Sequence, residues 1–228
     1  MAIILNLETA TTNCSVCVAS EGKAIGIKEQ NTPKYSHAEQ LHVFIAKAIE
    51  ESGLTLADLD AVAISKGPGS YTGLRIGVSA AKGLCFALDI PLISLPTLAS
   101  MAHQVMAQSF DFIISVLDAR RMEVYSAVFD KKLQQIRDTR AEIITETSFA
   151  EYLDTGKVLI LGPGAEKCQT VLEHTNANFE ASVVPSAVQM AALSQQKYEN
   201  ANLEDTAYFE PYYLKDFIAH TLKSKPKD

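Results

Sequence analysis

Ala61-Val62-Ala63-Ile64-Ser65-Lys66-Gly67-Pro68-Gly69-Ser70-Tyr71-Thr72-Gly73-Leu74-Arg75-Ile76-Gly77-Val78 is the stretch from which the rest of the chain is read. Its opening four residues are apolar and partly β-branched, which predicts a short buried strand over Ala61 to Ser65, and the pattern turns helical from about Leu74 to Leu88. Between them lie three glycines and a proline within seven residues, so the order is strand, glycine loop, helix. Such a loop can expose amides that hold an anion at a helix start, or it can simply press strand and helix together. Both readings stay open. The loop is no Walker motif: Gly67 and Gly73 are six apart where five are needed, and Leu74 and Arg75 stand where Lys and Ser/Thr belong. Nor does it complete a GxGxxG fingerprint.

A second copy of this arrangement follows later. Val158 to Leu161 is an apolar strand running into Gly162-Pro163-Gly164 and a predicted helix from Ala165 to Glu173. Upstream of each glycine loop is an apolar strand ending in a carboxylate and folding into a hairpin: Ile3 to Leu7 with Glu8, then Phe112 to Leu117 with Asp118. The two halves read as one unit used twice, with mixed sheets flanked by helices because parallel crossovers are helical and right-handed. The first unit is a three-strand meander, a helix opened by Ser36 and Glu39 at capping-box spacing and stopped at Gly53, the glycine loop, and a helix from Thr97 to about Gln108. The predicted division is a first lobe over 1–109, a second over 110–205, and a segment 206–228 that returns to the first lobe and ends in Lys223, Lys225 and Lys227.

Composition narrows the function. The chain has 228 residues, 47% of them hydrophobic, with a net charge of −7 and a pI near 5.3, so its long-range field repels phosphate backbones and argues against unaided nucleic-acid binding. There is no basic leader at Met1 and no apolar run near the roughly 20 residues of a membrane span, so a soluble cytoplasmic protein is expected, with no membrane partner. Cys14 and Cys17 form a CxxC in a strand-like run, where residues three apart face opposite sides, and no second close pair exists to complete a zinc site. His37 and His42 are five apart, about 140° around a helix. No metal site is expected.

Glu8 and Asp118 at strand ends could hold a magnesium-bound water in a phosphotransferase, with Lys66, Arg75, Arg120 and Arg121 as anion contacts, or could be ordinary polar strand ends. No general base, lysine clamp or arginine finger accompanies them. The remaining candidate is a surface. Leu41, Phe44 and Ile45 on the first helix, with Ile76, Gly77, Ala80, Ala81 and Leu84 on the helix after the loop, read either as a partner-binding face that small residues let another helix approach, or as core.

Lys66 to Val78 with Ala80-Ala81-Lys82-Gly83-Leu84 closely resembles the signature of the TsaB (YeaZ) family. Leu5-Asn6-Leu7-Glu8-Thr9-Ala10-Thr11, His37-Ala38-Glu39-Gln40-Leu41 and Tyr208-Phe209-Glu210-Pro211-Tyr212-Tyr213-Leu214 join it. The resemblance implies a duplicated ribonuclease-H-like α/β fold of the actin, sugar-kinase and Hsp70 (ASKHA) type. It also implies a non-catalytic subunit of tRNA threonylcarbamoyladenosine synthesis that pairs with the paralogue TsaD and, through the complex, with the ATPase TsaE and tRNA, or self-pairs when alone. ATP, ADP and the metal would then belong to the partners, since the HxxxH metal pair of TsaD is missing here. By likeness, the two first-lobe helices meet TsaD, and Glu8, Gly67, Gly69, Ser70, Thr72, Gly73, Arg75 and Asp118 form at most an anion or nucleotide loop. The sequence departs from the family at Glu8, where an aspartate is usual, and near Val43, where a proline is frequent. An active phosphotransferase of the same fold is the alternative, and a metallopeptidase a more distant one.

Overall fold

The structure is a computed structural model that describes residues 2–33, 36–105 and 110–215. In the first half, β1 (Ile3–Glu8), β2 (Asn13–Ser20) and β3 (Lys23–Asn31) form the meander, followed by α1 (His37–Glu51), β4 (Ala61–Gly67), α2 (Tyr71–Leu88), β5 (Leu92–Pro96) and α3 (Thr97–Ala102). The second half repeats the scheme with β6 (Phe112–Asp118), β7 (Glu123–Asp130), β8 (Gln135–Ile143), α4 (Ala150–Leu153), β9 (Val158–Leu161), α5 (Ala165–Gln169), β10 (Ala177–Glu180) and α6 (Ala187–Glu199). Sheet order is β3-β2-β1-β4-β5 in one half and β10-β9-β6-β7-β8 in the other, which is the same order written from opposite ends. In both, the meander pairs antiparallel and the fourth and fifth strands add in parallel. The fold is therefore the expected duplicated α/β unit.

Helix ends follow local chemistry more closely than periodicity. α2 begins three residues before the predicted Leu74 because the Ser70 hydroxyl accepts the amide of Gly73 (3.2 Å) and caps the first turn. The capping box proposed for α1 is not formed: Ser36 contributes its carbonyl, which accepts from Glu39 and Gln40, and not its side chain. α5 stops at Gln169, short of Glu173, and α3 gives way to a 3-10 turn at His103–Val105; the predicted residues 106–108 lie outside the described residues. No helix of the described residues is long and apolar enough to cross a membrane.

The core is built in layers. One face of the first sheet packs Leu5, Leu7, Val16 and Ile64 against Leu41, Ile45 and Ile49 of α1 and Val78 and Ala81 of α2. α1 lies close on the sheet because β3 carries Gly26, whose Cβ would meet the Ala48 carbonyl at 2.3 Å. The opposite face packs Ile4, Cys17, Ala63 and Ile93 against Ala187, Met190 and Ala191 of α6. In the second sheet, Ile113, Leu117 and Leu161 meet Leu98 and Met101 of α3. Packing crosses the predicted lobes: the last helix of each half covers the other half's sheet, and the apolar stripe of α6 packs against the first sheet. Just before the returning segment the chain is anchored to the first lobe by an antiparallel bridge between Leu92 and Glu204.

Two glycines of α2 make opposite demands. A Cβ at Gly73 would lie 2.2 Å from the Thr9 carbonyl, whereas one at Gly83 meets nothing within 4 Å. Gly73→Ala should therefore destabilise the chain by about 2 kcal/mol, while Gly83→Ala should stabilise it by up to about 1 kcal/mol through helix propensity alone. Urea denaturation of both variants measures the difference, and equal midpoints would contradict this packing.

Candidate functional site

The site grows from the contact between the β1–β2 turn and the glycine loop. Glu8 ends β1 and its Oε1 accepts the Ala10 amide (2.6 Å), which tightens the turn; the Ala10 carbonyl in turn accepts the Ser70 amide (2.6 Å). Gly69, Gly73 and Gly77 form the stripe on which this turn lies, since Cβ atoms there would meet the Ala10 carbonyl at 2.4 Å, the Thr9 carbonyl at 2.2 Å and Thr9 Oγ1 at 2.2 Å. Gly67 sits at φ +108° beneath the Tyr212 carbonyl, 2.9 Å from its would-be Cβ. The amides of Ser70, Gly73 and Leu74 are engaged by Ala10 and Ser70 within the chain. Of the two readings of the loop, the geometry follows tight packing; Thr72 is exposed on its outer side.

The two strand-end carboxylates are not equivalent. Glu8 is fully buried, and that burial pushes its carboxyl up to about 7 against the lowering effect of the Ala10 amide and Ser65. Asp118 is exposed; its Oδ1 accepts the Arg120 amide (2.5 Å) and Lys167 Nζ (3.0 Å). Arg120 and Arg121 follow in a turn with φ of 70° and 52°. One carboxylate is thus sealed under the turn and the other is engaged by a lysine. His37 is buried with Nε2 2.7 Å from the Thr11 carbonyl, and His42 is exposed on α1.

Between the lobes is a cleft of about 840 Å3, lined among others by Thr11, Ser70, Thr72, Asp118, Arg120 and Tyr125. The returning segment runs through it. The Tyr212 amide donates to the Lys66 carbonyl (2.7 Å), Tyr213 OH accepts from Arg75 Nε (3.2 Å), and Lys215 pairs with Glu123 of the second lobe.

A second concavity, about 550 Å3, lies on the outer surface between α1 and α2, lined by Ala38, His42, Arg75, Ile76, Ser79, Ala80, Gly83 and Leu84. The helix faces need a correction here. Leu41, Ile45, Gly77 and Ala81 point into the chain's own core, and Phe44 packs half-buried against it, whereas Ile76, Ala80 and Leu84 line the groove. Sequence reading missed Ala38, His42, Ser79 and Gly83, and Phe86, which is 88% exposed two residues past Leu84. Arg75 belongs to this groove and to Tyr213 instead of to the glycine loop. The discoverable signal was Gly83, a glycine inside a helix with no backbone turn to explain it.

The fold and site define a duplicated ribonuclease-H-like protein of the ASKHA class whose glycine loop is closed by its own hairpin turn. Residues 31–223 match the family model described as TsaD: tRNA N6-adenosine threonylcarbamoyltransferase. The chain is 29% identical to the tRNA threonylcarbamoyladenosine biosynthesis protein TsaB of Haemophilus influenzae over 94% of both chains, and 26% identical to TsaB of Escherichia coli over 95% and 96%. A solved Pseudomonas aeruginosa structure, described as similar to peptidase YeaZ, superposes with a TM-score of 0.85 at 25% identity over 94% of this chain and all of that one. The chain belongs to the TsaD family and, within it, to the TsaB (YeaZ) group.

Glu8 yields a pH prediction. Its folded pKa lies above the unfolded value, so as pH rises between about 4.5 and 7 the unfolded state gives up its proton first and stability falls. Glu8→Gln keeps an acceptor for the Ala10 amide without the buried charge. It should raise stability at pH 8 by about 2–3 kcal/mol and abolish the decline from pH 5 to 7. Thermal melts across pH check this; parallel curves for both proteins would contradict it.

Proposed function

We propose that the chain is the non-catalytic subunit of tRNA threonylcarbamoyladenosine synthesis, docking a TsaD-like paralogue in the α1–α2 groove. A TsaE-like ATPase and tRNA are reached through that complex, and ATP, ADP and metal are held by the partners. The chain works in this pathway as its TsaB relatives are named to do. The observation that carries the docking reading is Gly83. A solvent-facing glycine in the fourth turn of a helix costs about 1 kcal/mol relative to alanine, and among the described residues nothing lies within 4 Å of the Cβ it lacks. An outside helix does. The groove floor of Ile76, Ala80, Gly83 and Leu84 is apolar and small, which permits backbone-to-backbone approach, and Phe86 continues it as an exposed aromatic suited to anchor an interface. A partner descended from the same unit carries equivalent helices, so the two can meet across a pseudo-twofold axis.

Absence of independent turnover is supported by the sealed Glu8, whose Oε2 is buried, and by a glycine loop in which the Ser70, Gly73 and Leu74 amides are engaged within the chain. The measurement is co-purification and titration with the TsaD-like protein of the same organism. Gly83→Leu should weaken pairing at least about tenfold while leaving the isolated chain folded, because its side chain extends into open space. Undiminished pairing would contradict the groove; tight Mg-ATP binding with hydrolysis by the isolated chain would contradict the non-catalytic role.

A further inference from the structure

Arg75 connects the groove to the segment crossing the cleft. It lines the groove, whose other lining residues are apolar or small apart from His42 and Ser79. Its guanidinium lies 4.3 Å from the Tyr71 ring centroid, and its Nε donates to Tyr213 OH. The Tyr71 and Tyr213 rings are themselves 5.1 Å apart, so the arginine is held by two aromatic groups from different parts of the chain. Among the described residues no carboxylate lies within ion-pair distance of it, and Glu210 acts only at longer range. A cation is thus fixed at the edge of an apolar groove with no ion-pair partner among the described residues.

Tyr213 is not free to leave. Lys82 Nζ donates to the carbonyls of Ala207 (3.0 Å) and Phe209 (3.1 Å), the Tyr212 amide is bonded to Lys66, and Lys215 is paired with Glu123 beyond it. The segment is pinned on both sides of the tyrosine. A long arginine in water samples many rotamers, and fixing it on binding costs affinity; here the chain fixes it beforehand. The planar fork matters too, because lysine can neither stack on Tyr71 nor offer Nε to Tyr213 while presenting its remaining donors outward.

Resting on the docking reading above, we infer that Arg75 is the polar anchor of the groove, receiving an acidic group of the partner, and that Tyr213 is its positioning residue. Residues 207–215 therefore take part in partner recognition without lining the groove themselves. An apolar groove with one fixed cation selects a partner helix that carries a carboxylate, or its own C-terminal carbonyls, at that end.

The test is the affinity of the full-length chain for the TsaD-like paralogue of the same organism, by calorimetry at 50 and 500 mM NaCl. Tyr213→Phe, which removes one oxygen, should weaken binding about three- to tenfold at low salt, and Arg75→Lys should match it. Arg75→Gln should cost about tenfold or more, and the double variant Tyr213→Phe/Arg75→Gln no more than Arg75→Gln alone, since the tyrosine acts through the arginine. At 500 mM salt the differences should shrink. Melting temperatures of all variants should stay near wild type, which separates positioning from a fold defect. Wild-type affinity for Tyr213→Phe, or additive losses in the double variant, would overturn the inference and leave the docking reading standing. A wild-type chain that does not bind the paralogue defeats both.

Discussion

The backbone contact between the β1–β2 turn and α2 organises the first lobe. Carbonyls of Thr9 and Ala10 lie where side chains of Gly73 and Gly69 would be, and the Ser70 amide closes the contact from the loop. Because the turn is held this close, the first strand's carboxylate is drawn beneath it and loses its water, which accounts for a glutamate that protonates near neutrality. The same contact orients α2, and with it the groove that α2 forms with α1. In this chain the glycine loop serves helix placement.

Stability is shared between the halves. α3 and α6 each cover the sheet of the other half, and Asn13 Nδ2 reaches the Pro185 carbonyl while Ser15 Oγ and Glu29 receive the start of α6. Neither half has a complete core without the other's helix. The C-terminal segment adds a further crossing at Lys215–Glu123. An arrangement with this many crossings holds the outer helices α1 and α2 in fixed relation, which is what a docking surface requires.

Much of this was legible from residues. The repeated pairing of a carboxylate-ended hairpin with a Gly-Pro-Gly connection identified the duplication, because strand alternation and turn chemistry are local properties. The exchange of α3 and α6 was hidden, since nothing local to Ala187–Glu199 says which sheet its stripe of Ala187, Met190 and Ala191 will meet. The helix faces misled for a related reason. Small residues on α2 permit close approach on either side, so Gly77 and Ala81, which admit the chain's own strands, read the same as Ala80 and Gly83, which line the groove. The Arg75–Tyr213 contact spans 138 residues and has no periodic signature. Glu8 was found as a position, but its burial depends on the glycine stripe above it and on Ser65 beside it.

In the proposed complex the α1–α2 groove is covered by the paralogous subunit. Hydrogen–deuterium exchange of the chain alone and bound to its TsaD-like partner tests it directly, because protection is read segment by segment without altering any residue. Slowed exchange is expected over 38–43 and 75–87, with β6, β7 and β8 unchanged. Protection confined to the second lobe, with both groove segments exchanging as in the isolated chain, would contradict it.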